Sequence, residues 1–171
     1  MASQNNFTVK RLVLCAVFSA MAIILSYLEF LFPINLGIPG VKIGLPNLII
    51  LVAIYELKPP DTFAINLVRI GVSGLLFSGV FGTIYSLAGG MISLGVMLGL
   101  KKTEKFSIIG VSFAGGVAHN LGQLIIAVII MQDLKVFLYF PVLLLSGLAA
   151  GTALGIIAYP IVKKLPKSFF V

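Results

Sequence analysis

Residues 61–100 read DTFAINLVRIGVSGLLFSGVFGTIYSLAGGMISLGVMLGL, an almost unbroken apolar stretch. The hydrocarbon core of a bilayer takes about 20 residues of helix. The stretch is therefore one over-long helix or two spans joined in a tight hairpin. The two apolar segments, 61–79 and 82–100, are separated by little more than Gly79-Val80-Phe81, too little for a soluble loop. The positive charges decide between the readings. With the N-terminus in the cytoplasm and a hairpin here, Lys10, Arg11, Lys58, Lys101, Lys102, Lys105, Lys163, Lys164 and Lys167 fall inside. Only Lys42 and Lys135 fall outside, and Arg69 lies within a span, so the tally is nine against two. Fusing the two segments would put Lys101, Lys102 and Lys105 on the opposite side from Lys10 and Arg11. The positive-inside bias selects the hairpin.

Working outward, the apolar segments are approximately 10–32, 45–57, 61–79, 82–100, 106–131 and 136–162. The fold class is an all-α integral membrane protein, a single transmembrane domain over residues 1–171 with six transmembrane helices and both termini cytoplasmic. The second segment is short for a span, so it is tilted, partly wrapped by loop, or begins near Val41. Composition agrees: 60% of residues are hydrophobic and 10% charged, against about 45–50% and 25% in soluble domains. The net charge of +7 comes from short clusters between apolar runs. No basic stretch carries interleaved aromatics, so the charge reads as a topology signal and not as a nucleic-acid surface. Cys15, the single cysteine, reads as a small hydrophobe. Lys10 and Arg11 followed by Ala20-Met21-Ala22 resemble a signal peptide, but the apolar run continues to about Phe32 and reads as a retained first helix.

KPPD (58–61) is a turn, with Asp61 or Thr62 able to cap the next helix. KKTEK (101–105) is a hydrated loop. FPINLGIPGVKIGLPN (32–47) carries Pro33, Pro39 and Pro46 and cannot be a continuous helix; it is the longest irregular stretch, on the outer face.

Polar residues at membrane depth point to function, because charge there costs at least about 2.5–3.5 kcal/mol and is usually paired or faces a cavity. Arg69 is the clearest case. Asn66, three residues earlier, shares its helical face, and a guanidinium can clamp a carboxylate or phosphate. In GGVAHNLGQL (115–124), His119, Asn120 and Gln123 crowd one sector of helix five among small residues. They read either as a polar binding wall or as interhelical hydrogen-bonding glue. Glu29, Lys42 and Asn47 form another polar group near the outer face, with Glu29 able to partner Arg69 or Lys42, while Glu56 reads as structural beside Lys58. Gly95-x-x-x-Gly99 on helix four and Gly147-x-x-x-Gly151-x-x-x-Gly155 on helix six read as packing faces within the chain.

No phosphate-binding G-x-x-x-x-G-K-[ST] loop is present. With only Asp61 and Asp133 as aspartates, no paired acidic motif can hold magnesium on a diphosphate, and no nucleophilic triad is credible. No metal site and no cofactor is expected, and the chain does not read as an enzyme.

VKIGLPNLIILVAIYEL (41–57), the Arg69-bearing third span and GGVAHNLGQL together resemble the Gx transporter family. That family is often labelled heptaprenyl diphosphate synthase component I and is similar to the substrate-binding S components of energy-coupling-factor (ECF) transporters. The resemblance covers essentially the whole chain. It implies an S-component-like fold in the bacterial cytoplasmic membrane, capturing a small anionic or vitamin-like solute from outside. It also implies partners: a transmembrane coupling subunit, docked on an Ala-x-x-x-Ala face that Ala16 and Ala20 match, and two ATPase subunits. A second implication is a non-catalytic membrane role in quinone or prenyl diphosphate synthesis, or in flavin-linked extracellular electron transfer. Arg69 favours an anionic or strongly hydrogen-bonding solute, and the apolar surroundings suit a flat ring or prenyl tail, with Tyr27, Tyr85, Tyr139 or a phenylalanine for stacking.

Overall fold

The structure, a computed structural model, describes residues 2–32 and 43–165. The described residues are all-helical: α1 (Ala2–Leu31), α2 (Leu45–Glu56), α3 (Pro59–Ser73), a π-helical turn (Gly74–Ser78), α4 (Gly79–Lys102), α5 (Ile108–Met131), a 3-10 turn (Leu134–Tyr139) and α6 (Phe140–Lys164). Four runs are long and apolar enough to cross a membrane, Val9–Leu31, Pro59–Lys102, Ile108–Met131 and Leu134–Lys164, and α2 is a shorter apolar helix.

The run Pro59–Lys102 is folded back on itself. Nδ2 of Asn66 donates to the carbonyl of Gly90 at 3.2 Å, and Gly74 lies against the side chain of Thr83. In one straight helix, Asn66 and Gly90 would stand about 36 Å apart. The reversal falls at Gly79, whose φ of 68° and ψ of 178° form a combination open essentially to glycine alone. A side chain there would meet no atom within 4 Å, so the backbone angle is what requires glycine.

The other helices pack by close approach. On α6, Gly147 and Gly151 stand against the Gly116 and Ser112 carbonyls of α5, at 2.8 and 2.6 Å from where a Cβ would lie, and Gly155 against Ile109. Ser112 fastens the same seam by donating to the Gly151 carbonyl at 2.6 Å. The other face of α5 meets α4, where Ser93 donates to the Gly115 carbonyl at 2.8 Å. In the middle lies α2, apolar on every face between Asn47 and Glu56 and with Ile49, Ile50, Leu51, Val52, Ala53 and Ile54 all buried. Its twelve residues rise about 18 Å. It begins after Gly44 in left-handed conformation; Val41, near which the sequence allowed it to start, lies outside the described residues.

At one end of the bundle Arg11 of α1 forms a salt bridge with Asp61 of α3 at 2.6 Å. Lys101 of α4 reaches the Ile54 carbonyl at the end of α2. That lysine also sits 5.2 Å over the Tyr55 ring, within electrostatic reach of Glu56.

Two local expectations are corrected. Neither Asp61 nor Thr62 caps α3: the cap position is Lys58, with no side-chain cap bond. The helix has already begun at Pro59, ahead of both residues, a position that suits proline, and a lysine ammonium has no acceptor with which to cap. Asp61 instead takes Arg11, and Thr62 donates to the Ala53 carbonyl at 3.2 Å. Gly95 and Gly99 do not pack within the chain. Both are exposed, with no atom within 4 Å of a Cβ built on either, because α4 turns Ser93 and Met97 inward and this stripe outward.

Candidate functional site

At the end opposite Arg11 and Lys101, the last turns of α1, the start of α2, α3, the π-helical turn, and α4 to α6 enclose a cavity of about 810 Å³. Small-ligand sites commonly occupy about 300–1,000 Å³. The size follows from the glycines of α5 and α6, because Gly115, Gly116, Gly147 and Gly151 line the wall without filling it.

Arg69 is the charge of the deep wall, 5% exposed. Its Nε and Nη2 both donate to Asn66 Oδ1, at 3.1 and 3.0 Å. Nη2 donates again to Asn47 Oδ1 at 3.1 Å. Asn66 is fully buried and anchored to Gly90. It sits one helical turn before Arg69, so it reaches the guanidinium from its own helix. Two neutral amides hold the cation, and among the described residues no carboxylate is hydrogen-bonded to it. Glu29, which also lines the cavity, accepts from the backbone N–H of Gly44 at 2.5 Å and attracts Arg69 through space. It braces the start of α2 and tempers the field around Arg69. Lys42, the other partner considered for Glu29, lies outside the described residues.

The opposite wall is α5, where His119, Asn120 and Gln123 all line the cavity. Asn120 also joins helices: its Nδ2 donates to the Leu143 carbonyl at 2.7 Å and to Ser146 Oγ at 3.0 Å. His119 and Gln123 close over Gly89 of α4, where a Cβ would meet the Gln123 side chain at 2.9 Å. Hence Glu29, Asn47, Arg69, His119, Asn120 and Gln123 come together around one space, and Asn66 supports them from behind. Ala16 and Ala20 stand apart, exposed on α1.

Sequence reasoning missed the serines. Ser26, Ser73, Ser78, Ser86, Ser93 and Ser112 line the cavity. Ser73 follows Arg69 by four residues, a spacing that puts both on one face and could have revealed it. The aromatic lining is Phe30, Phe32 and Phe77 and contains no tyrosine. Among the described residues, no three metal-ligating side chains are grouped.

Apolar helices of this length around a polar-lined cavity define a multi-pass helical membrane protein. The chain belongs to the family described as heptaprenyl diphosphate synthase component I, which it matches over residues 18–161. Comparison with curated proteins and with solved structures found no match.

Proposed function

We propose that this protein is the solute-capturing membrane subunit of an ECF-type importer, spanning the bacterial cytoplasmic membrane six times with both termini inside. The observation that carries the reading is the cavity in which Arg69 is held by neutral amides, because such a site attracts a small anion or a strongly hydrogen-bonding solute. The orientation is supported by the charges. Lys58, Lys102 and Lys163 lie at helix ends on the same side as Arg11 and Lys101, the side that the positive-inside bias assigns to the cytoplasm. The cavity then opens outward. The protein catalyses no reaction in this reading, and ATP hydrolysis is left to partner subunits.

The coupling subunit docks on α1, where Ala16 and Ala20 lie in an exposed apolar strip with Leu12, Val13, Val17 and Ile24. Small residues there let a partner helix approach closely. Replacing Ala16 and Ala20 together by leucine is expected to remove the coupling subunit and ATPases from the complex purified from native membranes, and to abolish uptake. The isolated subunit should keep its ligand. An unchanged complex would refute this docking face.

The family description, heptaprenyl diphosphate synthase component I, favours a second reading, a non-catalytic membrane component beside prenyl diphosphate synthesis; its settings in quinone synthesis or flavin-linked extracellular electron transfer rest on the sequence resemblance alone. It predicts synthase or electron-transfer partners, without ATPases, in the same purification.

A further inference from the structure

Beside the cavity, an apolar recess lies on the outer surface of the bundle, parted from it by the Phe30–Phe77 pair. Ile23, Ile24, Tyr27, Phe30, Leu76 and Phe77 form the recess, and Phe30 and Phe77 line both spaces. Their ring centroids are 5.3 Å apart, and Tyr27 stands 5.8 Å from Phe77. At this level α1 and the π-helical turn meet through aromatic rings, which can swing about two torsions each, and not through interlocked backbones. Ile24, Tyr27, Phe30 and Leu76 are all exposed, so the recess faces the acyl chains in a protein that spans the bilayer.

On the cavity side of these rings, one turn beyond Arg69, is Ser73. It lines the cavity and is 7% exposed, and its Oγ has no hydrogen-bond partner among the described residues. An unsatisfied buried hydroxyl carries an uncompensated desolvation cost. A ligand oxygen bound by Arg69 would relieve it. The polar end of the site therefore combines a buried cation with a spare hydroxyl donor, and its side wall is a pair of touching aromatic rings with the membrane-facing recess beyond them.

We propose that the ligand is an amphiphile. Its anionic head, phosphate or carboxylate, is held by Arg69 and Ser73, and its apolar chain parts the Phe30 and Phe77 rings and passes between them to lie in the membrane-facing recess. This rests on the reading of the cavity as a capture site and adds that the ligand is drawn from the bilayer, not from water.

The test uses the full chain in phosphatidylcholine nanodiscs with dodecyl phosphate and dodecanoate, each carrying a terminal diazirine, and peptide mapping of the photo-adducts. For at least one head group, adducts are expected on residues 23–30 and 76–77. Arg69→Gln should suppress them roughly tenfold, and Ser73→Ala by about three- to fivefold. Ser73→Ala breaks no hydrogen bond within the described fold, so a loss of labelling with unchanged unfolding temperature reports ligand contact. Excess butyl phosphate or butyrate should displace the matching probe. Adducts scattered over all exposed helix faces, insensitive to Arg69, would overturn the proposal, as would no labelling by either probe. If the butyl compounds bind through Arg69 while the long-chain adducts fall elsewhere, the side opening is wrong and the capture site stands.

Discussion

With Asn66 replaced by leucine, the protein is expected to lose about 3–5 kcal/mol of stability, from two separable causes. The first is the bond from Asn66 to the Gly90 carbonyl, which ties α3 to α4 across the hairpin; single interhelical bonds of this kind contribute about 0.6–1.7 kcal/mol in membranes. The second is larger. Asn66 Oδ1 receives two of the Arg69 donors, and without it a buried guanidinium faces leucine with Asn47 as its remaining hydrogen-bond partner among the described residues and Glu29 acting only through space. A poorly compensated charge at membrane depth costs about 2.5–3.5 kcal/mol. The measurement is thermal unfolding in detergent, where the midpoint should fall by roughly 10 °C. Asn66→Asp separates stability from binding. It keeps an acceptor for Arg69 and adds a compensating charge but gives up the donor to Gly90. It should therefore avoid the larger cost and keep only the smaller one, about 0.6–1.7 kcal/mol, while anion affinity drops because the field of Arg69 is neutralised at its source. A leucine variant as stable as the parent would mean that Arg69 does not depend on this amide.

The second large effect lies in the seam between α5 and α6. A Cβ at Gly116 would lie on top of the Gly147 carbonyl oxygen and 3.1 Å from the Gly151 Cα. These are backbone atoms that no rotamer change can move aside. Gly116→Val is therefore expected to push the helices apart, at about 1–3 kcal/mol for overpacking. The Ser112–Gly151 and Asn120–Leu143 bonds would be lost as well, each worth up to about 1.7 kcal/mol. Because Gly116 and Gly147 also line the cavity, ligand binding should disappear with the seam. Gly95→Val is the matched comparison. The same chemical change at a position with nothing within 4 Å should alter stability by no more than about 0.5 kcal/mol. Equal loss at both positions would show that glycine content, and not this contact, sets stability.

The contrast between these glycines marks what sequence could convey. A G-x-x-x-G spacing says that one helix face is flat, and it does so equally for Gly147-Gly151 and for Gly95-Gly99. Which face meets a neighbour depends on helix rotation within the bundle, which spacing does not encode. The hairpin was legible because cation placement is a global constraint, and Gly79 supplies the backbone angle the reversal needs. The cavity was half legible. Arg69, His119, Asn120 and Gln123 stand out because charged groups and amides are rare in apolar runs. The serines do not stand out, since a hydroxyl can satisfy itself on its own helix, as Ser26 does on the Ala22 carbonyl. The same sequence signal covers both roles of Asn120, which lines the cavity and bonds α6 at once. The cap assigned to Asp61 failed because its partner, Arg11, lies fifty residues away in the chain.

The most direct test of the central claim, that Arg69 anchors a captured ligand in this cavity, is native mass spectrometry of the gently purified protein beside its Arg69→Gln variant. The account predicts a stoichiometric small molecule, bearing an anionic or strongly hydrogen-bonding group, on the parent and its loss from the correctly folded variant. A ligand retained equally by both, or a parent that carries none and acquires none when incubated with membrane extract and growth medium, would contradict it.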